Sequence, residues 1–548
     1  MDYDYIVVGA GAAGCVMAAR LSEDAASRVL LIEAGGSDRA LIVDMPAALP
    51  FAYASRRLGW QYEAGPEPQL NGRSIDEKRG KALGGSTTIN AMIYNRGNPL
   101  DYEGWANDLG LHDWSYAHCL PYFQRMETFG GGADPWRGGD GPMFINRCGA
   151  DHKLHDCFFR SGEQLGFPLT KDHNGYRQEG LHVAQAYIHR GRRWSAARGY
   201  LDEASRRPNL HVRPDALVER VLLDGDRAVG VEYSARGARV TVHATREVIL
   251  CAGAFNSPKL LMLSGIGDAD ELRPHGIDVR QHLPQISRNL ANHPGVNLQY
   301  ATSREHSLVS QLGPLGQAKM GLEWMLFRKG LGTTNFFESG AFLRSSDRYD
   351  YPNLQFEFLP LTRLLKNGRL VAIAGFQFWL DLSRPKSRGR VRLRSADPVA
   401  APDIVFHHFA DPNDMRDMID SIRLARRIIA QPAWDAVRGD ELAPGAHAQT
   451  DAELEAFVRA NTGTSYHPSG TCRMGVDADA VVDAHGRVRG LAGLRVADAS
   501  VMPRIVTGNL SACVLMMAEK IADHVRGRPA LAPSNAPWFN SAIATASV

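Results

Sequence analysis

The chain predicts an α/β fold in two parts: a parallel domain opened by a βαβ unit, and a second α+β lobe on a mixed or antiparallel sheet. Three observations predict it. The first forty residues run as strand, glycine turn, helix, strand and acid, in the spacing a βαβ unit needs. At 548 residues the chain is too long for one simple core. From about residue 300 to 465 it becomes aromatic-rich, with runs that alternate apolar and polar, as a sheet with helices packed on it would.

In order, Tyr5-Ile6-Val7-Val8 reads as a buried strand opening into Gly9-Ala10-Gly11-Ala12-Ala13-Gly14. Gly9 allows the tight turn, and Gly11 lets backbone approach a pyrophosphate. Gly14 lets the helix lie close to the strand, and the helix N-terminus offers free N–H groups. A second strand, Val29-Leu30-Leu31-Ile32, ends at Glu33, placed to accept hydrogen bonds from the ribose hydroxyls of an adenosine. A carboxylate there repels a 2′-phosphate, which argues against NADP. FAD and NAD both remain open on this motif.

Residues 79–92, Arg-Gly-Lys-Ala-Leu-Gly-Gly-Ser-Thr-Thr-Ile-Asn-Ala-Met, look like a second glycine loop entering a helix N-terminus. Residues 100–160 show no clean period. Leu210–Val212, Ala216–Leu223 and Ala228–Tyr233 read as successive strands with a turn at Asp224-Gly225-Asp226. Glu247 to Ala254 reads as a buried strand closing on Ala-Gly-Ala, and Ser257-Pro258 as the start of a helix that stops at Ser264-Gly265. Asp411 to Ile429 is an amphipathic helix, and Leu510–Met517 a buried one. The aromatics of 300–465 read first as core and second as the wall of an apolar pocket. The last residues, rich in Ala, Pro and Ser, read as a loose tail.

A net charge of +2 points to neither nucleic acid nor an acidic partner. Seven scattered cysteines, with no Cys/His spacing of a metal site, predict a reducing compartment, no disulfide framework and no metal. The acidic start running straight into a strand predicts no signal peptide. No apolar run reaches membrane-spanning length, so the expectation is a cytoplasmic protein, with peripheral contact at the inner membrane left open.

Two more stretches complete the pattern: Tyr466-His467-Pro468-Ser469-Gly470-Thr471-Cys472-Arg473-Met474-Gly475, and Thr507-Gly508-Asn509-Leu510-Ser511-Ala512 at the mouth of the last helix. With the N-terminal fingerprint, Gly80–Asn90 and Gly253–Gly267, they stand in the order of the glucose–methanol–choline (GMC) flavin oxidoreductases, which the chain resembles from Tyr3 to about Arg526. Within the family it looks most like bacterial alcohol, polyethylene glycol, L-sorbose and choline dehydrogenases.

The resemblance implies a glutathione-reductase-type FAD domain from residues 1–160, 200–300 and 466–530. A substrate domain would come from 161–199 and 301–465, with 531–548 as the tail. It also implies FAD rather than NAD. Gly9, Gly11 and Gly14, with Ala12 and Ala13, would hold the pyrophosphate. Glu33 and Ala34 would meet the adenosine ribose, with Trp60 and Val218 near the adenine. Arg79, Gly84, Gly85, Ser86 and Asn90 to Ile93 (with Ala91 and Met92) would run along the flavin. Ala252, Gly253, Asp498 and Ala499 would touch the ribityl chain and pyrophosphate. Gly508, Asn509 and Leu510 would bring the last helix's N-terminus to the flavin N1–C2 carbonyl. Ile89 stands where covalent members carry a flavin-linked histidine, which implies non-covalent FAD.

The implied reaction oxidises a primary or secondary alcohol and passes a hydride to flavin N5. It needs a base within reach of the hydroxyl, which suits His467, and a donor to hold the oxygen, which suits Asn509. An electron acceptor (quinone, cytochrome or O2) completes the turnover. L-sorbose dehydrogenase, choline dehydrogenase and an oxygen-using alcohol oxidase are the alternatives. The chain departs from the family at residues 287–294, Ser-Arg-Asn-Leu-Ala-Asn-His-Pro, a change expected to affect a loop rather than chemistry. Glu338 matches a choline-dehydrogenase glutamate and is expected to be structural.

Overall fold

The computed structural model describes residues 2–366 and 369–540. Two seven-stranded sheets dominate it. In the first, the spatial order is Leu210–Arg213, Val29–Ile32, Asp2–Val8, Ala238–Leu250, Arg227–Ala235 and Ala216–Asp224, with Leu494–Val496 also paired to Ala238–Leu250. The strands around Asp2–Val8 are parallel; the hairpins from Ala216 to Leu250 are antiparallel. Ile6, Val7, Val29, Leu31, Ile249 and Leu250 are fully buried, as strands covered on both faces must be.

The second sheet is antiparallel, in the order Glu441–Ala443, Pro294–Ala301, Gly375–Leu382, Leu354–Leu359, Ser339–Leu343 and Gly180–Val183, with Gly463–Thr464 on Pro294–Ala301. Its two faces differ. Val296, Leu298, Phe356, Phe358, Phe376, Phe378 and Leu380 point one way into an apolar core with Phe158, Met418, Ile422, Trp434 and Leu454 of the covering helices. Asn297, Gln299, Gln355, Glu357, Gln377 and Trp379 alternate with them and face the other way. The aromatics at 356, 358, 376 and 378 are therefore core.

Several expectations shift. Pro294–Ala301, placed by the sequence in the first lobe, is a strand of the second sheet, and helix Lys153–Gln164 packs into that sheet's core. The glycine loop does not enter a helix: only a 3-10 turn, Gly85–Thr88, forms. The Thr87 and Thr88 hydroxyls donate to the carbonyls of Gly84 and Leu83, competing with helical hydrogen bonds.

The helix expected from Ser257-Pro258 starts at Gly253 and carries Pro258 inside it. Proline cannot donate to the Ala254 carbonyl one turn back; Thr471 Oγ1 does so instead at 2.6 Å. Residues 100–160 hold helices Pro99–Asp108, Tyr116–Met126 and Lys153–Gln164. The first has a capping box between Asn98 and Asp101 that was readable as Asn-Pro-x-Asp.

Where a loose tail was expected, residues 531–540 lie along the first lobe. The backbone N–H of Leu531, Ser534 and Phe539 donates to Tyr122 Oη, the Ala117 carbonyl and the Tyr176 carbonyl. Residues 541–548 fall outside the described residues.

Candidate active site

A cavity of about 980 Å³ runs between the two sheets. At one end lie Gly9, Gly11, Glu33 and Val218; at the other lie His467, Asn509 and the polar face of the second sheet. The first end is built of backbone. Gly9 has φ +97°, and a Cβ there would lie 2.6 Å from the Cys251 carbonyl. Helix Ala12–Leu21 begins at Gly11 with no side-chain cap and no acid in its first turn, so its free N–H groups meet the cavity. Gly85 presses against Gly11, where a Cβ would come within 2.6 Å of the Gly11 Cα. Glu33 is fixed by the N–H groups of Ala10 and Gly35, both at 2.8 Å. Burial pushes its carboxyl up to about 7. A carboxyl so placed, beside glycine backbone and a bare helix end, fits the ribose and pyrophosphate of an adenine dinucleotide.

All the predicted site residues line this cavity except Gly14, Gly84 and Gly508. Gly14 acts one layer back: a Cβ there would meet the Gly9 carbonyl oxygen at 1.8 Å, so glycine lets the helix press on the turn. Gly84, at φ +88°, donates its N–H to the Ala10 carbonyl and joins the two glycine loops. Gly508, at φ +80°, packs against Phe342. The carboxyl of Asp498 is occupied by Ser257 Oγ and the N–H groups of Gly253 and Ser500. It ties the Gly253 helix to the C-terminal segment. Ile89 is buried with Val43, Ala52, Leu58 and Ala82 and also lines the cavity.

The other end is built of side chains. Tyr466, at φ +63°, sits in the left-handed region that non-glycine residues seldom adopt, immediately before His467. Arg79 holds the Tyr466 carbonyl at 2.6 Å, and Asn292 Oδ1 accepts from the His467 N–H at 2.8 Å. His467 Nδ1 stands 3.0 Å from His293 Nδ1, and His467 Nε2 stands 3.2 Å from Asn509 Nδ2. The Asn509 oxygen accepts from the Asn95 and Gln355 amides, so its NH2 faces His467. His467 Nε2 is therefore an acceptor and Nδ1 carries the proton, donated to His293. Burial, then His293 and Arg79, hold the His467 pKa well below the ordinary range, and burial does the same to His293, at about 3. His467 is a neutral imidazole with its lone pair in the cavity.

The loop at 287–294 was expected to leave chemistry alone; it instead supplies Asn292 and His293, both in contact with His467. The sequence also missed the wall residues Asn297, Gln299, Glu357 and Gln377, while Trp379 belongs to the aromatics whose second reading was a pocket wall. Their signal was the alternation itself, polar residues at every second position of strands whose other positions are Phe and Leu. The substrate wall is thus more polar than the aromatic count suggested, with Phe336, Phe337 and Trp379 as its aromatic lining. Glu338 does not line the cavity; its carboxyl lies 3.8 Å from His155.

Helix Ser511–Val525 starts at the cavity without a side-chain cap or a first-turn acid, beside Asn509. Its N-terminal dipole adds positive potential where charge develops.

A family model described as GMC oxidoreductase matches residues 3–295 and, with its C-terminal part, 385–518. The chain is 48% identical over 542 residues to an oxygen-dependent choline dehydrogenase of Paraburkholderia phymatum, covering 98% of this chain and 95% of the relative. It is 47% identical over 545 residues to the protein of the same name from Yersinia pseudotuberculosis, covering 98% and 96%. Among solved structures, pyridoxine 4-oxidase from Mesorbium loti superposes with a TM-score of 0.86 at 31% identity, covering 96% and 100% of the two chains. An Aspergillus oryzae formate oxidase variant does so with 0.88 at 26%, covering 96% and 98%.

Proposed function

The chain belongs to the GMC oxidoreductase family, with FAD as its cofactor, and we propose that it oxidises a primary or secondary alcohol to an aldehyde or ketone at His467 and Asn509. The observation that carries this reading is the His467 Nε2 lone pair beside the Asn509 amide N–H, at the end of the cavity opposite the dinucleotide cradle. When bound, FAD supplies the acceptor of the carbinol hydride. A hydroxyl seated between the two residues gives its proton to His467 Nε2. Asn509 Nδ2 donates to the oxygen as negative charge grows on it. His293 holds the imidazole in the required tautomer and orientation. Electrons then pass to an acceptor: quinone, cytochrome or O2.

Ile89 offers no nucleophile to the cavity, which supports non-covalent FAD; acid precipitation should release all of the yellow chromophore. The decisive experiment is the anaerobic visible spectrum before and after adding aliphatic alcohols, L-sorbose and choline. Bleaching by one class names the substrate type, and bleaching by none refutes alcohol oxidation. A second reading, choline oxidation, is favoured by the names of the relatives at 47–48% identity.

No helix among the described residues is long and apolar enough to cross a membrane. For a cytoplasmic enzyme resting on the inner membrane, the contact surface would be helix Pro314–Phe327, which exposes Leu315, Leu322, Leu326 and Phe327. Failure to co-sediment with anionic vesicles would remove that reading.

A further inference from the structure

Glu357 is a half-buried carboxyl that the chemistry above does not use. It stands on the cavity face of the second sheet, between Phe356 and Phe358 of the core. Its Oε1 accepts from Gln355 Nε2 at 3.1 Å and from Asn509 Nδ2 at 3.4 Å, the same nitrogen that lies 3.2 Å from His467 Nε2. No donor reaches its Oε2 and no lysine or arginine pairs with it among the described residues. Around it the sheet wall offers the amides of Asn297, Gln299 and Gln377 and the ring of Trp379.

An unpaired carboxyl in such a place is more stable neutral than charged. Burial, opposed by the Asn509 contact, pushes Glu357 up to about 7. The titratable groups that face it are held neutral. Asp381, on the adjacent strand, is pushed far up by burial and by Glu357, and burial pushes His467 and His182 far down and His173 to about 4. Of the carboxyls at this end, Glu357 on the cavity wall and Glu77 behind it, beside Arg79, are the two pushed up to about 7. With Oε1 already accepting two hydrogen bonds, Oε2 is the oxygen left to carry a proton.

We infer that Glu357 is a specificity residue: its carboxyl O–H donates to a second oxygen of the substrate, on the carbon next to the one oxidised. One amide nitrogen touches both His467 and Glu357, so an alcohol seated on His467 brings its neighbouring substituent to the carboxyl. The favoured class is alcohols with an adjacent hydroxyl or ether oxygen: glycols, glycol ethers and polyols. A quaternary ammonium group can accept no hydrogen bond and would share the cavity with Arg79 and Arg363. A donor left unpaired by a plain alkyl chain weakens binding of the monohydric analogue.

This assignment rests on alcohol oxidation at His467 and Asn509, and the test separates the two. 2-Methoxyethanol and 1-butanol have the same number of heavy atoms and differ by an ether oxygen that can only accept. The measurement is kcat/KM for anaerobic flavin reduction by each, between pH 6 and 9, in the FAD-loaded wild type, Glu357→Gln and Glu357→Leu. Intrinsic differences in alcohol reactivity cancel when the ether-to-alkane ratio is compared between proteins. At pH 6 the wild-type ratio should exceed that of Glu357→Leu by about tenfold or more, and it should fall toward the Leu value as pH rises through about 7. Glu357→Gln, which keeps an N–H donor, should hold a raised ratio at every pH. Equal ratios in wild type and Glu357→Leu would overturn the assignment while leaving alcohol oxidation intact. Choline use that rises with pH in wild type and vanishes in Glu357→Gln would overturn it too, because the carboxylate would then be a cation partner. Bleaching by no alcohol would overturn both readings.

Discussion

The two sheets meet at one cavity and serve it by opposite means. The first, parallel around Asp2–Val8, offers mostly backbone: glycine turns, bare helix ends and two carboxyls, Glu33 and Asp498, that are themselves held by backbone N–H groups. The second, antiparallel, offers side chains on one face only, because alternate residues of its strands fill the core. A backbone site suits a ligand whose recognised parts do not vary. A side-chain site can be rewritten position by position. On the proposed reading, the difference teaches that the cofactor is held by conformation and the substrate by chemistry.

The sharpest way to break this comparison is His467→Ala. If the second end does chemistry and the first holds FAD, flavin reduction by alcohol should slow about 10²–10⁴-fold with the flavin-to-protein ratio unchanged. Loss of FAD from this variant would show that the division is wrong. Next, Phe358→Ala removes a fully buried ring from the core face of the second sheet. It should cost about 3–5 kcal/mol in a denaturant titration, while FAD bound to the surviving folded fraction stays unchanged.

Gly14→Ala sharpens the comparison from the backbone side. The added methyl has 1.8 Å to the Gly9 carbonyl oxygen, so helix and turn must separate. A loss of about 1–3 kcal/mol is expected, together with a drop in flavin content, but turnover per bound flavin should hold. The smallest effect concerns pH. With its pKa held well below the ordinary value of about 6.5, His467 stays in its basic form throughout pH 6–8. Protonation of this imidazole should therefore put no acid-side fall into kcat/KM in that window. An acid limb centred near 6.5 that disappears in His467→Gln would contradict the placement.

What the sequence made legible follows the same division. The glycine spacing at 9, 11 and 14, the acid at 33 and the strands from 210 to 250 were readable because backbone requirements restrict residue type locally. His467 and Asn509 were readable through the family pattern. Asn292, His293 and Glu357 were not. Asn292 and His293 act through contacts some 175 residues away in sequence, at Nδ1 and N–H of His467. Glu357 sits in a strand whose period showed two faces but not what the polar face would meet. The glycine loop at 84–88 misled because Thr87 and Thr88 turn their hydroxyls back on the chain, and the boundary near 300 misled because a strand bridges it. Those errors arise where tertiary contacts, rather than local propensity, settle the outcome.

The two-faced sheet also bears on how such a protein can diverge. Residues 357, 377 and 379 can change without altering a single core volume, since Phe356, Phe358, Phe376 and Phe378 lie on the reverse side of the same strands. Descendants can therefore explore new substrates by point mutation while the scaffold stays above its folding threshold. A combinatorial library confined to these three positions should yield mostly folded, yellow proteins that differ in what reduces them.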